Sequence, residues 1–195
     1  FSLYNHIFPG RTRFPYGLGD RTVSISDLDA LFASHEISSK KSENEFRVVV
    51  LGDSSIWGDD LESYQTAITH LNEFRLQCDG KDVKFYNLGY PHLAAIKDVL
   101  ILNRAMDFEP DAVIWSFTLR TMLPKGPNPF LKANSERIFS LNQAHRLPPY
   151  PYDLLDYRAK TFYEKTLISK RVDLAWLLKL QTLGPIWTAL GTDTP

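Results

Sequence analysis

Val48-Val49-Val50-Leu51-Gly52-Asp53-Ser54-Ser55-Ile56-Trp57-Gly58-Asp59-Asp60-Leu61 is the stretch whose reading decides the fold. Its first four residues are apolar and three of them are β-branched, a pattern that fits a strand covered on both faces, as in a parallel sheet flanked by helices. Sheets of that kind place ligands beyond the carboxyl ends of their strands, and Ser54 stands three residues past that end. Gly52 permits a sharp turn, and Gly58 permits close backbone approach where the next element packs down. A plainer reading of Gly-Asp-Ser also stands: an ordinary strand-to-helix loop with Asp53 or Ser54 as N-cap.

Working outward, Leu61, Tyr64, Ile68, Leu71 and Arg75 follow helical spacing up to a stop at Cys78-Asp79-Gly80. A second strand is predicted at Val83 to Leu88, then the turn Gly89-Tyr90-Pro91-His92. A helix follows from Leu93 to Met106 with Ile96, Val99, Leu100 and Asn103 on one face, and Ala112 to Phe117 makes a third strand. Strand, helix, strand, helix, strand with right-handed crossovers demands a parallel, doubly wound sheet.

Residues 1–45 read as an amino-terminal arm and a short helix. The arm is rich in Gly, Pro, Arg and aromatics, and the helix is capped by Ser24 or Ser26, with Leu28, Leu31 and Phe32 on one face. Residues 46–195 read as the α/β domain. Within it, 123–152 is an irregular, proline-rich insertion with a short helix near Asn134 to Ala144, of the sort that roofs pockets, and 153–190 is a helical segment. Val172 to Leu190 is its most apolar part, but Asp173, Lys179, Gln181 and Gly184-Pro185 interrupt it and argue against a transmembrane span. Self-association or a peripheral membrane contact through 172–190 is the expectation for it.

Composition narrows the function classes. With 195 residues, 44% hydrophobic and 23% charged, the chain can bury a sizeable core. A net charge of -1 gives no general attraction to nucleic acid. The single cysteine, Cys78, rules out an internal disulfide. Phe1, not Met, stands first, so the reading expects a trimmed chain whose compartment stays open, an extracytoplasmic or membrane-anchored setting included. The histidines lack metal-ligand spacing and no phosphate loop or dinucleotide fingerprint follows the first strand, so neither a metal nor a nucleotide cofactor is indicated.

Gly52-Asp53-Ser54, with Gly58 four residues on, resembles the first sequence block of the GDSL/SGNH hydrolases, a family of esterases, lipases and deacetylases with a flavodoxin-like sheet. The resemblance implies that Ser54 is the nucleophile and that its amide helps to hold the oxyanion. Asn87-Leu88-Gly89 stands where the second block belongs, which makes Gly89 the second oxyanion donor; a plain turn glycine fits the same position.

The resemblance breaks at the third block, where the family carries Gly-x-Asn-Asp and this chain reads Thr118-Leu119-Arg120-Thr121. Losing one such donor costs about 100- to 1000-fold in turnover. Arg120 is the candidate substitute, with Thr118 or Thr121 behind it, against the alternative that Arg120 pairs with Glu109 or Asp111. The family's Asp-x-x-His is absent too, because the residues three before the five histidines are Leu3, Phe32, Ala67, Gly89 and Asn142. His92 is the imidazole that the topology brings nearest to Ser54, as base or as a helix-start residue; His145 would need the insertion to fold over, and His6, His35 and His70 read as surface residues.

The expectation is therefore an α/β chain with a flavodoxin-like, doubly wound parallel sheet of SGNH type, incomplete at its carboxyl end. Its expected activity is that of a serine ester hydrolase on an acyl ester of a carbohydrate or lipid. Acyl transfer to another alcohol uses the same machinery, and a non-catalytic carbohydrate-binding or assembly module is the alternative.

Overall fold

We describe a computed structural model of the chain, covering residues 10–16, 27–122, 129–144, 161–163, 166–169, 171, 174–175, 178–179, 181–183 and 186. In chain order the helices are α1 (Leu28–Ser34), α2 (Ser54–Trp57), α3 (Ala67–Glu73), α4 (Ala95–Ala105), α5 (Pro129–Ala133) and α6 (Ser135–Gln143). The strands are β1 (Glu45–Leu51), β2 (Gln77–Cys78), β3 (Lys81–Asn87) and β4 (Ala112–Trp115), ordered β2-β3-β1-β4. β1 runs parallel to both β3 and β4, while β2 pairs antiparallel to β3.

Alternation along β1 sends its side chains into two cores. Val49 and Leu51 join Tyr86, Leu88, Leu100, Ile101, Phe130 and Ile138, which brings α1, α4, α5 and α6 to one face. Val48 and Val50 join Phe85 and Ile68, which brings α3 to the other. Covered on both sides, β1 is the continuous apolar run that its sequence announces. β3 and β4 flank it on opposite sides, so the direction of winding reverses at its carboxyl end.

The amino-terminal residues 10–16 lie along this body. Phe14 is fully buried against Phe32, and the Arg13 guanidinium sits 4.2 Å over the Trp57 ring while donating to the carbonyls of Gly58 and Leu61, each at 2.9 Å. α1 starts from Asp27, whose carboxylate accepts from the Ala30 amide at 2.9 Å; Ser24 and Ser26 lie outside the described residues.

Several elements differ from the sequence reading. The long helix from Leu61 is broken: Gly58 turns left-handed at φ 91°, a 3-10 turn occupies Ser63–Gln65, and α3 begins only after Thr66. Glu62 and Gln65 cap one another's backbone and the Thr66 hydroxyl caps α3, and these local bonds outcompete a continuous ladder. Leu61 and Tyr64 therefore face solvent. The Cys78-Asp79-Gly80 stop is a hairpin, with Asp79 and Gly80 at φ 50° and 75°, the positive values that a two-residue turn requires.

On α4, Leu100, Ile101 and Ala105 are buried together with Lys97 and Asp98, whereas Ile96, Val99 and Asn103 of the face that the spacing predicts are only half-buried. The described part of the insertion holds two helices, and Phe130, Leu131, Ile138 and Leu141 are core residues that pack against a sheet face. β4 ends at Trp115, short of Phe117, and among the described residues no strand follows it. Val113 and Ile114 are exposed on it, as are Leu174, Leu178 and Ile186 further on. No helix among the described residues is long and apolar enough to cross a membrane.

Candidate active site

Three turns leave the carboxyl ends of the parallel strands at the same edge: 52–54 after β1, 88–92 after β3 and 116–121 after β4. The first two are packed backbone to backbone. Tyr90 N donates to Gly52 O at 3.1 Å, and Asn87 Nδ2 donates to Ile56 O at 2.8 Å. Gly89 is buried so closely that a Cβ would meet Trp57 N at 2.5 Å and the Ile56 carbonyl carbon at 2.9 Å. Only glycine lets the second turn dock on α2. Ser116 N donates to Leu51 O at 2.9 Å, which brings the third turn alongside the first.

Asp53 is the N-cap of α2, its carboxylate accepting from Ser55 N at 2.9 Å. The N-cap reading of Gly-Asp-Ser thus holds for Asp53, and it places Ser54 at the first helical position. Ser54 is half-buried, and among the described residues neither its hydroxyl nor its amide has a hydrogen-bond partner. An unengaged amide at the start of a helical turn carries partial positive charge.

The other candidates are less free. The Gly89 amide donates to Asn87 Oδ1 at 3.0 Å, so the donor that the resemblance assigns to an oxyanion is occupied by a neighbouring side chain. Thr118 N donates to Thr121 Oγ1 at 3.3 Å, and the two hydroxyls lie 3.4 Å apart, which closes this pair on itself. Arg120 is exposed and without a described partner. Its pairing with Glu109 or Asp111 does not occur, because those residues precede β4 at the opposite end of the sheet, where Asp111 binds Lys41 at 2.7 Å and the Arg47 amide at 2.6 Å.

His92 lies at the correct edge in a left-handed conformation, φ 90°, exposed, its ring against those of Tyr16 and Tyr90. It makes no hydrogen bond to Ser54. His70 is exposed and pairs with Glu73 at 2.9 Å, whereas His6 and His145 lie outside the described residues.

His35 reverses its surface reading. It is fully buried, with Nε2 3.0 Å from the carbonyl of Asn87 and Nδ1 accepting from Ile37 N at 3.1 Å. A carbonyl can only accept, so Nε2 carries the proton and the ring is neutral. Burial pushes its pKa down from 6.5 to about 3. Its sequence signal was weak: one imidazole after an apolar helix.

The buried polar group that sequence reasoning missed is Lys97. Its Nζ, fully buried, donates to Gly52 O at 2.8 Å and Tyr90 O at 2.6 Å and pairs with Asp98 at 2.8 Å. Asp98 Oδ2 in turn accepts from Trp115 Nε1 at 3.1 Å. Burial lowers the pKa of Lys97 and raises that of Asp98, and each partner's charge opposes the other's shift. An adjacent Lys-Asp pair on a helix reads as two solvated charges, so pattern alone conceals it.

A separate cleft of about 690 Å³ lies between α3 and β3, lined by Thr12, Glu36, Asn72, Arg75 and Lys84 among others, and includes none of the candidate site residues. Among the described residues no cluster of three or more His, Cys, Asp or Glu could hold a metal. Comparison with family models, with curated proteins and with solved structures found no match.

Proposed function

We propose that this chain presents the nucleophile of a serine acyl-hydrolase of SGNH type on a flavodoxin-like sheet. The observation that carries the reading is Ser54: a half-buried serine at the first turn of a helix, beyond the central strand where the winding reverses, with hydroxyl and amide both unengaged by the described residues. In this reading Ser54 Oγ attacks the carbonyl of an acyl ester on a carbohydrate or lipid, and the Ser54 amide holds the developing oxyanion. The proton goes to an imidazole, which is His92 after a ring movement or a group outside the described residues. Arg120, open to solvent, supplies a second positive contact to the acyl oxygen or to an anionic part of the substrate. Transfer of the acyl group to another alcohol follows the same first step.

A second reading, a non-catalytic module on the same scaffold, is favoured by one observation: the Gly89 amide is already bonded to Asn87. A fluorophosphonate probe separates the two. The folded full-length protein is expected to be labelled at Ser54 and its Ser54→Ala variant not; absence of labelling in a folded full-length sample removes the hydrolase reading.

A further inference from the structure

We infer that Lys97 is the positioning residue of the Ser54 site, fixing the spacing between the Gly52-Asp53-Ser54 turn and the Gly89-Tyr90 turn; as a statement about catalysis this rests on the serine-hydrolase reading above. The Nζ donates to two carbonyls, those of Gly52 and Tyr90, and forms an ion pair with the carboxylate of Asp98. Gly52 O is two residues before the hydroxyl-bearing serine and also receives Tyr90 N, so one carbonyl oxygen is the node at which both turns meet. Its orientation sets the plane of the Gly52–Asp53 peptide, and hence the entry into Asp53, the N-cap that starts the helical turn of Ser54. Asp98 extends the same unit to β4 through Trp115.

Stability alone does not account for such a group. A buried ion pair is matched or exceeded by apolar side chains of similar volume, whereas removal of one partner strands the other charge. What an apolar side chain cannot do is hold two carbonyls at hydrogen-bonding distance from one point. The electrostatic reach of the unit extends to Asp53, whose charge acts on both Lys97 and Asp98.

The test uses the neutral double variant Lys97→Met/Asp98→Asn, in which the introduced side-chain amide keeps an acceptor for Trp115. Three quantities are read: thermal unfolding, amide exchange of peptides covering 52–58 and 88–92, and the second-order rate of fluorophosphonate labelling of the folded fraction. The expected result is cooperative unfolding, exchange rising in both peptides together while β1 stays protected, and labelling slowed about ten- to a hundredfold, the scale of a small misplacement of a reacting group. Labelling within about twofold of the parent with unchanged exchange overturns the inference. Lys97→Gln/Asp98→Asn guards against a double variant that fails to fold: it is equally neutral but keeps a side-chain amide donor at position 97, so slowing of about fivefold or more with exchange rising in both peptides is expected, and labelling within about twofold of the parent with unchanged exchange overturns the role given to Nζ. If the parent chain itself is not labelled, the hydrolase reading fails, and paired loosening of the two peptides still decides whether Lys97 sets their spacing.

Discussion

Acidification should unfold this protein through His35. The ring is neutral and fully buried, and protonation would convert Nδ1 from the acceptor of Ile37 N–H into a donor facing a donor. Its pKa is lowered from 6.5 to about 3 in the folded chain, so between these values the unfolded chain binds more protons and stability rises with pH. The contribution is complete above pH 6.5 and is lost as pH falls toward 3. Linkage with these two pKa values gives a loss of about 1.4 kcal/mol at pH 5.5 and about 2.7 kcal/mol at pH 4.5 relative to the neutral plateau. Glu36 and Asp98, whose pKa values burial raises, act in the opposite sense over part of the same range, so the measurement must be a difference. Urea denaturation of the parent and of His35→Gln at pH 7.5, 5.5 and 4.5 isolates the term. Gln keeps a donor and an acceptor but does not titrate, so the stability gap between the two proteins should narrow by these amounts on acidification. A gap constant to within about 0.5 kcal/mol, the error of such differences, would refute the burial argument.

Two further outcomes follow from packing. Gly89→Ala should lower stability by about 1–3 kcal/mol and slow labelling of Ser54, because the new Cβ would lie 2.5 Å from Trp57 N and main chain cannot yield as a side-chain tip can; a thermal midpoint equal to the parent's would show that the two turns are not in contact in solution. We propose that the chain associates with itself through exposed apolar surface, with residues 172–190 and the open edge of β4 contributing, since Val113, Ile114, Leu174, Leu178 and Ile186 all face solvent. Light scattering should report species larger than a monomer that diminish in Ile114→Lys, and a monodisperse monomer at all concentrations would rule this out.

The strands were legible because their signal is local and one-dimensional. Val48 to Leu51 can be read as doubly covered without knowing what covers them, and Val83 to Leu88 and Ala112 to Phe117 each locate a strand to within a few residues. The helices failed where hydrogen bonding outweighed periodicity. Leu61 and Tyr64 keep helical spacing, yet the caps at Glu62 and Thr66 reset the chain between them and Ile68. At the candidate site, the positions of Ser54 and Gly89 followed from turn chemistry, but the state of their donors did not. That Asn87 Oδ1 would occupy the Gly89 amide depends on a rotamer, and that Lys97 would turn inward depends on two carbonyls brought together by the fold. His35 was misread for the same reason: its acceptor, the carbonyl of Asn87, lies 52 residues away in sequence.

Three buried polar groups bond to the main chain around Ser54. His35 holds the carbonyl of Asn87, whose side chain holds the Gly89 amide and the Ile56 carbonyl; Lys97 holds the carbonyls of Gly52 and Tyr90. These bonds end on main chain in the two turns or directly beside them, at Gly52 and Ile56 on one side and at Asn87, Gly89 and Tyr90 on the other, and none ends on Ser54 itself. Other buried donors, Arg47 and Asn134 among them, are satisfied by carbonyls elsewhere in the core. The bonds gathered at the two turns fix the placement of those segments relative to one another. That is what presentation of a reacting hydroxyl needs, and a binding module with a rigid rim needs it equally. The distinction therefore rests on reactivity at a single atom: a scaffold this constrained with an unreactive Ser54 Oγ would be a recognition surface, and one with a reactive Oγ an enzyme.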